Sequence, residues 1–292
     1  MTRRVRDALL GYALVLPSLA LFVVFVFYPF ARNFWLALHR TPPFPGLPKK
    51  YVGLDQVGDV LSSSEFHKSL TVTVLFVLYT VPTGVVLGLL LAVLAHRELR
   101  GMGVYRTIFS STVATSVAAA SVIFFTLLNP QVGLITYWLG RSGDLGVLED
   151  PDTALIAVSV TTIWQNLGLS FILMTAGLQS IPDDLYEAAA VDGANARQRF
   201  FHVTLPMLSP TLFFAAVVGS IMAFQAFGQI DLLTEGGPNN ETNVLVYSIY
   251  RDVFRFGNDG VAAVKAIALF VIVFVLTIVQ LRFAERRVSY AR

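Results

Sequence analysis

The chain contains no cysteine among its 292 residues. A disulfide framework, a thiolate metal site and a cysteine nucleophile are therefore excluded. Charge is scarce as well: 14% of residues are Asp, Glu, Lys or Arg, and the formal net charge is only +2. No basic excess points to nucleic acid. The four histidines, His39, His67, His96 and His202, are scattered and lack metal-ligand spacing. No Gly-x-x-x-x-Gly-Lys-Ser/Thr phosphate loop occurs, so nothing in the chain reads as a nucleotide-hydrolysing site. What remains is apolar. Hydrophobic residues make up 55% of the chain and the mean hydropathy is +0.67, too apolar for the surface of a soluble domain.

A helix needs about 20 mostly apolar residues to cross the hydrocarbon layer. Six segments qualify, at approximately 8–30, 69–95, 106–128, 153–178, 208–232 and 260–282. Backbone polar groups in lipid must be satisfied within the segment, so each is expected to be a helix. The expected fold is all-α: one polytopic transmembrane domain over residues 1–292, kinked or restarted at Pro17, Pro82 and the Pro206/Pro210 pair. The run from Ala8 to Phe30 exceeds the ~7–15 residues of a signal-peptide core and is read as a retained first span.

Orientation follows the Lys and Arg residues of the flanks. Arg3, Arg4, Arg6, Arg97, Arg100, Arg106, Arg197, Arg199, Arg282, Arg286, Arg287 and Arg292 fall on one side. Arg32, Arg40, Lys49, Lys50, Lys68, Arg141, Arg251 and Arg255 fall on the other, five of them in one long loop. Both termini and the 179–207 loop are thereby assigned to the cytoplasm. The opposite loops are long: 31–68 carries a Pro-rich stretch and a short helix expected over Asp55–Ser64, and 233–259 carries the turn cluster Glu235-Gly-Gly-Pro-Asn-Asn.

The cytoplasmic loop is the most specific feature. Ser180-Ile-Pro-Asp-Asp predicts a helix start, with a capping serine, an early proline and acids that complement the dipole. Asp183, Leu185, Glu187, Ala188, Ala189 and Asp192 lie on that short helix, and Gly193 supplies a left-handed stop. A second helical stretch, 194–204, carries Arg197 and Arg199 into Leu205-Pro206. An interfacial lipid anchor would be basic and bulky; this helix is acidic and Ala-rich, which suits docking to a protein.

The spacing Glu187-Ala-Ala, Gly193, nine residues, then Val203 and Leu205-Pro206 resembles the cytoplasmic loop of bacterial ABC importer permeases. Val203 stands where that family often has Ile. The six-span layout is similar to permeases of the carbohydrate class over essentially the whole chain. Asn129-Pro-Gln-Val-Gly-Leu-Ile-Thr, Gln179-Ser-Ile-Pro and Leu276-Thr-Ile-Val-Gln-Leu-Arg-Phe are similar to the first permease subunit of glycerol-phosphate importers. The resemblance implies a permease subunit in a bacterial cytoplasmic membrane, with no catalytic site and no cofactor of its own. It also implies partners: a second permease, two ATP-binding cassette subunits holding ATP and magnesium, and an extracytoplasmic solute-binding protein. The solute implied is a polyol or sugar type, glycerol 3-phosphate or a glycerophosphodiester. The ATPases would dock on the 183–192 helix and drive alternating access.

Polar groups at membrane depth are costly and usually face a cavity or a partner. Gln165 and Asn166 lie midway along the fourth segment. Gln225 and Gln229 are four apart in the fifth, with Phe224 and Phe227 beside them. These residues read either as the lining of a path for a hydroxylated solute or as interhelical and inter-subunit hydrogen bonds. Lys265 lies five residues into the sixth segment and reads either as a snorkelling cation or as a contact for an anionic solute. Gly84 and Gly88 read as a helix-packing pair. Two rival functions remain: a secondary transporter, which would need a midplane ion site, and an importer permease for a neutral sugar. A membrane-embedded enzyme would need a catalytic constellation, and none is found.

Overall fold

The computed structural model describes residues 3–42, 44, 46–96, 101–138, 140 and 146–287, with side chains described between 11 and 282. Arg97, Arg100, Arg141 and Arg292 lie outside the described residues, as do the side chains of Arg3, Arg4, Arg6, Arg286 and Arg287. The described chain is helices joined by turns and loops, and its strands form one hairpin with two residues in each strand. In order come α1 (Arg3–Phe22), α2 (Tyr28–Ala37), β1 (His39–Arg40), β2 (Lys50–Tyr51), α3 (Asp55–Leu61) and α4 (Ser64–Ala95). Next are α5 (Met102–Ser111), α6 (Val117–Leu127), α7 (Leu134–Trp138), α8 (Ala154–Gln179) and α9 (Asp183–Val191). The series closes with α10 (Ala196–Arg199), α11 (Leu205–Met207), α12 (Ser209–Phe224), α13 (Gly228–Leu233), α14 (Leu245–Tyr250) and α15 (Asp259–Arg287).

Four helical stretches are long and apolar enough to cross a membrane unbroken: Gly11–Ala37, Ser64–Ala95, Ala154–Gln179 and Asp259–Arg282. Two bent helix pairs pass the same test when each is taken as one unit. Met102–Ala114 meets Val117–Leu127 at 104°, and Ala196–Met207 meets Ser209–Phe224 at 61°. Counting each bent pair as one span gives up to six; the third expected segment is broken at Thr115, and the fifth, 208–232, is broken where α12 ends at Phe224 and α13 starts at Gly228. The first runs on to Ala37 rather than stopping near residue 30, because Arg32 and Asn33 continue the helix beyond its apolar stretch.

Proline sets two of the irregularities by the same mechanism. Its ring clashes with the carbonyl four residues back, and it donates no hydrogen bond. Wide π turns occupy Val23–Phe27 and Phe200–Thr204. Pro29 and Pro206 follow, and the residues four before them, Phe25 and His202, stand at the centre of each turn. The break in the third span has another origin. Six of the seven residues from Ser110 to Ser116 are small, and five carry hydroxyls; such residues favour caps over helix interiors. Thr115 and Ser116 go extended, and the Ser116 hydroxyl accepts from the Ala119 N–H at 3.1 Å to start α6.

Two compact units form, residues 1–66 with 249–270, and residues 67–248 with 271–292. In the first, Ala37, Val60, Ala263 and Val264 make a small core. Gln56, buried, donates to the Ala37 carbonyl at 3.0 Å and so caps α2. In the second, Leu89, Ala92, Phe171, Met174, Leu178 and Leu208 form the main core. Its close packing needs small residues: a Cβ on Gly88 would stand 2.6 Å from that of Ser170. Gly88 thus fits the packing expectation, whereas Gly84 has nothing within 4 Å. Arg106 donates through Nε and Nη2 to the Ala95 carbonyl at 3.1 and 2.9 Å, capping α4.

Candidate functional site

The loop between α8 and α12 presents a helix to solvent. No residue of α9 is buried, and Leu185 and Val191 are 38% and 89% exposed. Asp183, Glu187, Ala188, Asp192 and Gly193 are exposed, and Ala189 is half-buried. Nine residues cannot hold a helix in water by themselves, so the ends and one anchor must do it. Pro182, extended, is the N-cap, whereas Ser180 closes α8 instead. Gly193 adopts φ +79°. The Ala194 N–H donates to the Ala189 carbonyl at 2.9 Å and the Gly193 N–H to that of Ala190 at 3.1 Å, a complete Schellman stop. Asn195 and Gln198 then form a reciprocal capping box that opens α10. The anchor is Tyr186. Its ring packs on the main core, and its hydroxyl meets that of Thr204 at 3.0 Å. Sequence reasoning missed Tyr186; its signal was one large aromatic among alanines and acids.

The polar groups at mid-span fall into three situations. Gln229, 4% exposed, donates through Nε2 to Gln165 Oε1 at 2.6 Å, and Gln165 Nε2 donates to the Thr115 carbonyl at 3.4 Å. Asn166 donates to the Thr162 carbonyl within its own helix and borders a pocket with Thr80, Gly84, Ser170 and Gly219. That pocket holds about 50 Å3, well short of the roughly 300–1,000 Å3 of a small-molecule site. Gln225 is the exposed C-cap of α12 and Phe224 is buried. The helix ends there, so Gln225 and Gln229 do not share one helical face as their spacing predicts; they belong to different helices.

Lys265 lies in the first unit and is 1% exposed. Its Nζ sits 2.7 Å from Asp252 Oδ2 and 3.2 Å from Glu65 Oε1. The cation is neither snorkelling to water nor free for a ligand; it is neutralised by carboxylates from a π turn (Arg251–Arg255) and from the start of α4. Burial pushes the Asp252 carboxyl above its ordinary value, while the hydrogen bond and charge of Lys265 draw it down and Glu65 pushes it up. Asp252 was missed from sequence because it stands outside the apolar segment. An acid thirteen residues before a buried lysine was the available signal.

Two apolar helical stretches are bent, linked amides tie α8 to the start of α13 and to the Thr115 break, and one exposed acidic helix stands between α8 and α12. Residues 64–289 match the family described as "Binding-protein-dependent transport system inner membrane component". The chain belongs to this family. The permease is thus a multi-pass inner-membrane transport subunit of an ABC importer and not an enzyme, and ATP is bound by its partner ATPases. It is 39% identical over 286 residues to the sn-glycerol-3-phosphate transport system permease protein UgpA of Agrobacterium fabrum, covering 97% of each chain. Its identity to the UgpA of Rhizobium meliloti is 38%, again over 97% of each. Among solved structures, a bacterial ABC transporter involved in the import of the acidic polysaccharide alginate superposes with a TM-score of 0.83. That match covers 98% of the permease and 99% of the solved chain at 22% identity, which speaks for the fold.

Proposed function

We propose that the chain is one half of a heterodimeric pathway importing glycerol 3-phosphate or a glycerophosphodiester, working as a single permease domain with both termini cytoplasmic. A second permease completes the pathway, an extracytoplasmic binding protein delivers solute, and two ATP-binding cassette subunits grip the α9 surface. The solute assignment is carried by the near-full-length similarity to glycerol-phosphate permeases at 38–39% identity. The docking assignment is supported by α9 itself, a helix whose acidic side chains, with Leu185 and Val191, stay exposed among the described residues. Closure of the ATPases would displace α9, and Tyr186 would carry that displacement into the core beneath it.

One observation favours a second reading, a neutral polyol or sugar. Lys265 is paired with Asp252 and Glu65, so it offers no unspent charge to a phosphate. Reconstitution with the cognate ATPases, second permease and binding protein separates the two. ATP-driven uptake of labelled glycerol 3-phosphate well above that of glycerol and maltose supports the first. Uptake of only a neutral solute supports the second. Transport without nucleotide would remove the importer reading altogether.

A further inference from the structure

Gln165 links two of the helix breaks of the second unit. On one side is the break in the third span, where Thr115 leaves the helix with an extended backbone and a carbonyl that continues no helical ladder. On the other is the break in the fifth, after which Gln229 stands in the first turn of α13. A backbone carbonyl only accepts hydrogen bonds. The group that Gln165 aims at Thr115 must therefore be its NH2, which leaves its Oε1 for Gln229, and Gln229 must in turn present its NH2. The acceptor at one end fixes both amide orientations, and the bonds run one way: Gln229 to Gln165 at 2.6 Å, then Gln165 to Thr115 at 3.4 Å.

The surrounding packing holds the same three pieces together. The Gly168 N–H, one turn along α8 from Gln165, donates to the Thr112 hydroxyl at 2.8 Å. A Cβ on Gly168 would lie 2.6 Å from that hydroxyl oxygen. A Cβ on Gly228 would lie 2.6 Å from Val117 Cγ1. Irregular backbone at membrane depth persists only where the protein satisfies it; here Gln165 satisfies the Thr115 carbonyl and reaches the second break through the Gln229 side chain.

We propose that Gln165 is a positioning residue for transport: it ties the break of the third span to the break of the fifth, so that α6 and α13 shift as one body when the pathway changes state. The inference rests on the importer reading but not on the solute. The amides of Gln165 and Gln229 are then committed to one another and to Thr115 rather than to cargo.

The absence of cysteine makes a spin-label test direct. Val122→Cys and Leu232→Cys, both at exposed positions, place one label on α6 and one on α13. The full complex, with cysteine-free partner subunits, is measured at rest and after trapping with ATP and vanadate, without solute. The inference expects one narrow label-to-label distance that is the same in both states. Gln165→Leu should broaden or split it at rest. Gln165→Glu should behave like wild type when protonated at acidic pH, since the acid form both donates and accepts. As a carboxylate it cannot donate to Thr115, so it should resemble Gln165→Leu at alkaline pH. If Gln165→Leu fails to assemble, the two pH arms of Gln165→Glu decide. A wild-type distance that changes on trapping, or variants indistinguishable from wild type at rest and at both pH values, would overturn the inference. The resting comparison stands whatever the solute proves to be.

Discussion

Two charged regions of this permease are built by opposite rules. Lys265 and Asp252 are withdrawn from water and answer one another, with the lysine 1% exposed and its Nζ 2.7 Å from Asp252 Oδ2. On α9 the charges of Asp183, Glu187 and Asp192 face outward, and no residue of the helix is buried. Buried charges are tolerated only when paired, and the pair then fixes geometry without adding much stability. Exposed charges cost little to keep and add little to folding. Burial therefore marks the Lys265 cluster as architecture. The α9 surface, expendable for folding, is where a partner's requirements can be read.

The sharpest way to break that contrast is to remove one member of the buried pair. Lys265→Met leaves the Asp252 carboxylate buried and short of its main cation, a loss of about 3–5 kcal/mol by analogy with other broken buried pairs. Asp252→Leu added to Lys265→Met should recover most of it, because an apolar pair removes the stranded charge. Thermal unfolding of the detergent-solubilised complex, followed by tryptophan fluorescence, measures both. The sign with pH follows from Asp252. Its carboxyl in the folded state lies above its unfolded value, so the folded state holds the proton more tightly and stability falls as pH rises through the folded value. Without Lys265 that value climbs further. The Lys265→Met deficit should thus be smallest in acid and grow towards neutral pH; a pH-independent deficit would mean that Asp252 is not the stranded group.

The same contrast explains what could be read from the sequence. Span positions were legible because hydropathy integrates over about 20 residues, and the α9 loop was legible because its spacing is specific. The turn at Gly193 was legible too, since glycine is the cheap route to positive φ. The breaks at Thr115 and Phe224 were not, because a broken span and a straight one have the same hydropathy sum. The pairing of Lys265 was hidden for a different reason: its partners lie 13 and 200 residues away, and only folding brings Glu65 and Asp252 to one amine. The split between Gln225 and Gln229 follows from the Phe224 break. Periodicity assigns a shared face only while the helix continues.

The exposed region should respond in function and not in folding. Glu187→Lys reverses a charge that solvent already surrounds, so membrane insertion and thermal unfolding should stay where they were. ATP-driven uptake by the reconstituted complex should fall at least about tenfold, the equivalent of roughly 1.4 kcal/mol of lost coupling. Solute-stimulated ATP hydrolysis should fall with it. Retained stimulation would show that Glu187 is mere solvated surface.

A smaller effect tests whether the shape of α9, as well as its charge, matters to the partner. Gly193 has open space around it, with nothing within 4 Å of where a methyl group would stand, yet its φ is +79°. Ala at this position therefore meets no clash with neighbours, only the intrinsic cost of left-handed backbone, about 1–2 kcal/mol. That cost is local. It bears on the two bonds from Gly193 and Ala194 to Ala190 and Ala189, so the last turn, which carries Ala189 and Asp192, should loosen while Tyr186 stays seated. Docking of the ATPase subunit onto Gly193→Ala permease should weaken by about five- to thirtyfold if the full strain is felt on binding. Gly193→Asn, which accepts left-handed backbone more readily, should lie between Ala and wild type. A titration in which Ala and Asn weaken docking equally would point to lost contact at the glycine surface itself, because backbone strain ranks the two and simple bulk does not.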